Sequence, residues 1–215
     1  MIRALMFKEL REVFGIAAVA LGLYLLLLIK QFGLDVVSWQ GSDGVPFVDG
    51  NFSVYFLIIS VAFTTALGFR QSAWETHNGT YLFLLHRPIS RTTIFLTKLA
   101  TGISVYLVLA LVPLIGYGCW AALPGHHASP FHWSMVTPTW NLYLLMPLLY
   151  LGAYLSGLRP ARWLGTRLLP LAASGVLIWL LCSVPWLGWT ILATVLGYTL
   201  LLMNICHVAQ IRDYA

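Results

Sequence analysis

Few side chains in this sequence could act as nucleophile, base or metal ligand, and their spacing argues against catalysis. The six histidines are scattered. His77 and His86 fall in one polar segment, His126, His127 and His132 in another, and His207 follows the last apolar run. The trio at 126–132 could meet a metal, but no acidic fourth ligand accompanies it, and a solvated loop accounts for it. A haem site would need histidines on facing apolar helices. Cys119, Cys182 and Cys206 are isolated and lie in or near apolar runs, with no CxxC pair. They read as small buried residues rather than a disulfide or zinc site. Ser60, Ser104 and Ser174 have no histidine or lysine base within any apolar run, which leaves serine hydrolysis without support. No Gly-rich loop ending in Lys-Ser/Thr occurs. The expectation is a chain that is not an enzyme and holds no cofactor or metal of its own.

The elements that must position these residues are membrane helices. Hydrophobic residues make up 60% of the chain and charged ones only 9%, against roughly 25% charged in soluble domains. A spanning helix needs roughly 20 apolar residues to cross a hydrocarbon core about 30 Å thick. Six runs qualify or nearly so: 13–29, 52–69, 99–123, 139–158, 168–184 and 186–206. None contains Asp, Glu, Lys, Arg or His. The fifth is short, but Trp163 and Leu164 extend it while Arg167 snorkels to the interface. The runs are continuously apolar, whereas barrel strands would alternate over about ten residues, so the spacing predicts helices. Without an ionisable group at membrane depth, proton-coupled transport or ion pumping has no machinery.

The basic residues orient the chain. Arg3, Lys8 and Arg11 precede the first run; Arg70, Arg87, Arg91 and Lys98 separate the second from the third. Arg159, Arg162 and Arg167 separate the fourth from the fifth, and Arg212 follows the sixth. Eleven of the twelve Lys and Arg thus share one side, with Lys30 opposite. The positive-inside rule makes that side cytoplasmic and puts both termini there, in a bacterial cytoplasmic membrane. The net charge of +5 is therefore a topology signal, and no nucleic-acid footprint accompanies it. The first run is long for a signal peptide and reads as a retained anchor. Trp39, Trp133, Trp140, Trp163, Trp186 and Trp189 lie near the predicted edges, as an aromatic belt requires.

Residues 1–215 form a single domain, without internal repeats. Ile2, Leu5, Met6, Leu10 and Val13 recur at helical spacing, with Arg3, Lys8, Glu9, Arg11 and Glu12 between them. This predicts an amphipathic interfacial helix over 1–12, either a membrane anchor or a lever for a cytoplasmic partner. Ala18 with Gly22, Gly152 with Ser156, and Ala193 with Gly197 are small residues four apart that permit close helix approach, within one chain or across a dimer. Pro113 and Pro147 bend their helices.

The segment 70–98 carries the most information. Its polar start ends at Asn78-Gly79, which breaks or caps a helix. An apolar run at 81–85, too short to span, follows. Pro88 and Ser90 then suit a helix start, with Ser90 capping the third helix and Arg91 and Lys98 on its first two turns. Such short helices on the cytoplasmic face would present a rigid knob to a partner; an ordinary interfacial loop is the plainer reading.

Glu75, Gly79-Thr80, Leu84-Leu85, Pro88, Ser90-Arg91 and Lys98, in this order between the second and third of six spans, resemble the signature of type-2 ABC transporter permeases. The motif covers about 25 residues, and the amphipathic start and six-span topology extend the likeness to the whole chain. The resemblance implies a coupling helix in 70–98 that docks on a separate cytoplasmic ABC ATPase, which binds the ATP and Mg. It implies ATPase-coupling roles for Glu75, Gly79, Thr80, Pro88, Ser90 and Arg91, and a homodimer or heterodimer with a second permease. The short turn near Pro185 and Gly188 leaves little room for the re-entrant helices that many relatives carry there. The expected function is export by alternating access, with Ser60, Thr64, Thr65 and Asn141 lining the path. Mostly apolar spans with such scattered polar groups suit lipid-like cargo. The alternative is a non-transporting scaffold or assembly factor that recruits a cytoplasmic protein.

Overall fold

The computed structural model describes residues 2–32, 45–48, 51–77, 90–123, 131–160, 166–183 and 187–211. Among the described residues six α-helices follow one another: α1 (Ile2–Gln31), α2 (Asn51–His77), α3 (Arg91–Ala121), α4 (Thr137–Leu158), α5 (Leu169–Ser183) and α6 (Leu187–Ile211). A 3-10 turn, Trp133–Val136, leads into α4. No strand occurs among the described residues. Five helices are long and apolar enough to cross a membrane, and the architecture is that of a multi-pass helical bundle. The exception is α5, whose 15 residues rise about 22 Å at 1.5 Å per residue.

Successive helices alternate in direction. Arg70 reaches Glu12 and Tyr24 meets Ser60, so α1 and α2 are antiparallel. Contacts of Glu75 with Lys98 and of Phe52 with Tyr117 set α3 against α2 in the same way. Tyr106 meets Tyr143, and Gly102 meets Tyr150, so α4 runs opposite to α3. Ser156 contacts Leu171 and Gly152 contacts Ser174, which lays α5 antiparallel along α4. The chain then returns in α6, where Gly197 meets Leu177 and Tyr198 bonds Leu144.

The centre of the bundle is α4. Of its most apolar 18-residue stretch 83% is buried, against 11% in α6, so α4 is the core strut and α6 a peripheral helix. Small residues make this possible. A Cβ on Gly68 would sit 2.7 Å from the Ala153 Cβ, and one on Gly152 would sit 2.9 Å from the Pro170 carbonyl oxygen. Helix backbones touch on both sides of α4, as small residues allow in bilayers. Large apolar side chains such as Val19, Trp179, Ile191 and Met203 stay exposed, as on a lipid-facing surface.

Pro147 removes the amide that would bond the Tyr143 carbonyl. The Tyr106 hydroxyl donates to that oxygen instead, at 3.3 Å, so α3 repairs the gap in α4. At the far end of the bundle, Phe47, Phe52, Tyr117 and Trp120 pack ring on ring. Phe47 holds a left-handed φ of 64° there, a conformation costly for a side chain with a Cβ and held by its ring contacts.

The amphipathic start runs into the first span without a break: residues 2–31 are one continuous helix, because nothing at 11–13 breaks the helical hydrogen bonds. Arg167 folds back on the end of α4. Its guanidinium donates to the carbonyls of Ser156 and Gly157 at 3.1 and 3.0 Å, where cations suit the orphan acceptors of a helix C-terminus. Pro113 and Pro147 lie inside helices as expected.

Candidate functional site

One stripe of α1 runs through Leu5, Glu9, Val13, Ala20 and Tyr24, all buried. Spacing by three, four or seven places Glu9 on the same face as the apolar residues. On α2 the buried face includes Leu67, Gln71, Ser72 and Glu75; on α3 it includes Ile94, Phe95, Lys98 and Thr101. Where these faces converge, the charges meet. Lys98 is fully buried, its ammonium 2.9 Å from a Glu9 carboxylate oxygen and in an ion pair with Glu75. Lys8, about one third exposed, lies 3.5 Å from Glu75, 3.7 Å from Glu9 and 3.1 Å from Glu12.

Neutral groups complete the cluster. The Gln71 amide donates to Glu9 at 3.4 Å and to the Lys98 carbonyl at 3.5 Å, while its oxygen accepts from the Tyr150 hydroxyl at 2.6 Å. Four helices are therefore tied at one level. Arg70 lies at the rim, donating to the Glu12 carbonyl and stacked over the Trp74 ring. The carboxylate oxygens of Glu9, Glu12 and Glu75 lie within 4.8 Å of one another, close enough to hold a cation. The two lysine ammoniums already sit among them, so the arrangement is a salt-bridge network. A buried ion pair earns its place by geometry and specificity more than by net stability.

The coupling candidates separate in space. Glu75, expected to couple to a separate ATPase, is buried on the last turns of α2. Ser90 caps α3: its hydroxyl accepts the Thr93 amide at 3.3 Å. Arg91 follows it, exposed. Gly79, Thr80 and Pro88, and the short helices expected around them, lie outside the described residues. The helices on either side of residues 78–89, α2 and α3, are nevertheless tied to each other by the Glu75–Lys98 pair.

The path candidates do not converge on one cavity. Ser60 and Thr64 are fully buried. Ser60 pairs with the Tyr24 hydroxyl at 2.8 Å, and Thr64 donates to the Ser60 carbonyl at 2.7 Å, so both join helices. Thr65 is half-buried on α2. Asn141 lies elsewhere, in a groove between α4, α5 and α6.

Sequence reasoning missed Glu9, Gln71 and Tyr150 as site residues. A signal for Glu9 existed: it stands four residues from both Leu5 and Val13, on the apolar stripe rather than the polar one. No family model matches the chain, and neither a curated protein nor a solved structure matches it.

Proposed function

We propose that this chain is the membrane-spanning permease subunit of an ABC transporter, exporting its substrate by alternating access. ATP and Mg belong to a separate cytoplasmic ATPase subunit. The observation that carries this reading is the Glu75–Lys98 pair at the base of the connection 78–89, locked to Glu9 and Lys8 of α1. A push on that connection reaches α1, α2 and α3 together, because packed, ion-paired helix ends move as a unit. Glu75 then works inside the lever, and the docking surface falls to Gly79, Thr80, Pro88 and the exposed Arg91. The alternating directions of the six helices support six crossings, α5 included, with the charged end cytoplasmic. A second permease, identical or different, would complete the path, and the peripheral faces of α1 and α6 leave room for it.

The test is co-expression with an ABC ATPase encoded beside this chain. The pair should co-purify and hydrolyse ATP, while the purified chain alone hydrolyses none. Arg91→Glu and Gly79→Val should weaken association or uncouple hydrolysis from transport at unchanged membrane insertion. Hydrolysis by the chain alone contradicts the proposal. Capture of a cytoplasmic protein without ATPase activity, with both variants binding no ATPase, moves the scaffold reading ahead.

A further inference from the structure

The groove between α4, α5 and α6 encloses about 800 Å³, within the roughly 300–1,000 Å³ of small-molecule sites. Its polar groups gather at one end. Thr137 and Asn141 occupy the first two turns of α4, and Thr190 and Thr194 the first two turns of α6. Its deeper walls are apolar, from Leu144, Leu145, Leu181 and Val195. No described lining residue is charged. The Tyr198 hydroxyl donates to the Leu144 carbonyl at 2.7 Å, closing the floor between α4 and α6.

Asn141 is the informative residue. It is exposed to the groove, and its amide makes no hydrogen bond with any described residue. An amide open to the groove keeps its two donors and its acceptor for a ligand. The Thr194 hydroxyl proton is already given to the Thr190 carbonyl at 2.6 Å, which leaves its oxygen as an acceptor. Together they offer donors and acceptors of neutral character above an apolar slot.

We propose that this groove binds one neutral amphiphile, with an ester- or hydroxyl-bearing head at Asn141 and Thr194 and an acyl chain along Leu145 and Leu181. A charged head would find no counter-charge among the described lining residues. A second copy of the chain is the weaker occupant, because a concave slot polar only at one end fits a molecule of that polarity better than a uniformly apolar helix. The site belongs to this chain alone and stands with or without an ATP-driven partner.

Cys182 lines the groove and is exposed, and Cys119 is exposed on α3 outside it, so the protein carries its own probe and control. The experiment follows alkylation of both thiols by N-ethylmaleimide in the purified chain while a monoacylglycerol is added. The expected result is several-fold protection of Cys182 with Cys119 unchanged. Asn141→Leu and, independently, Thr194→Val should each abolish the protection while Cys182 keeps its basal rate. Equal slowing of both thiols, or protection that survives both variants, overturns the proposal. Equal protection by an anionic lysophospholipid removes the neutral head. Slow alkylation of Cys182 without ligand that speeds on dilution assigns the groove to a second copy instead.

Discussion

Removing the Lys98 ammonium would leave the Glu9 and Glu75 carboxylates buried side by side with only the partly exposed Lys8 to compensate. Breaking a buried ion pair by deleting one partner costs about 3–5 kcal/mol. Lys98→Met should therefore unfold the chain markedly earlier, read as the thermal midpoint in detergent. Lys8→Met should cost less than Lys98→Met, since about one third of the Lys8 side chain reaches the surface although its ammonium is buried among Glu9, Glu12 and Glu75. Equal losses would mean that burial does not rank these two lysines. Tyr106 provides a second residue-level test. Tyr106→Phe leaves the Tyr143 carbonyl without its donor, a loss of about 1 kcal/mol. In a Pro147→Ala background the restored amide can serve that carbonyl, so the same substitution should cost less. A double-mutant cycle measures the difference; strict additivity would show that the hydroxyl is not substituting for the missing amide.

Between helices, glycines divide by what their missing Cβ would meet. At Gly157 a Cβ would fall 2.8 Å from the Ser72 Cβ and 2.9 Å from the Ala73 amide, so a side chain there forces α2 and α4 apart. At Gly15 and Gly22 nothing lies within 4 Å. Gly157→Val is expected to abolish stable expression, whereas Gly22→Ala should be neutral or slightly stabilising, as an exposed helical glycine replaced by alanine usually is. Fluorescence size-exclusion profiles of the two variants distinguish the outcomes, and similar profiles would overturn the close packing of α2 on α4. The same observations sort the small-residue pairs. Gly152 with Ser156 packs on α5, and Gly197 packs on Leu177, but Gly22 marks no contact between described helices.

At the scale of the whole molecule, helix direction and basic residues together define two ends. Lys30 packs over the Tyr55 ring near the aromatic end, whereas Lys8, Arg70, Lys98 and Arg167 lie at the opposite end. Cysteine placed at His132 should react with an impermeant thiol reagent from outside intact cells, and cysteine at Thr166 should not; both positions are exposed. Ser72 is unsuitable for this purpose, being buried against Gly157. External labelling at position 166 would invert the orientation and remove the basis for a cytoplasmic ATPase.

Continuous apolar runs made the helices legible without a structure, because length and composition alone meet the bilayer's demand for internally satisfied backbone. Ser90 as a cap and Pro113 and Pro147 as interior prolines were legible for the same reason, since both rest on local backbone chemistry. The ion cluster was not. Glu9, Glu75 and Lys98 lie far apart in sequence and look like ordinary polar residues beside membrane spans. Only the packing of α1, α2 and α3 on α4 turns their faces inward to one point, and only that burial makes an acid in a basic loop into an internal tie. The groove at Asn141 likewise exists because α5 lies antiparallel to α4 and α6 returns beside it, a relation between helices that no single run of residues encodes.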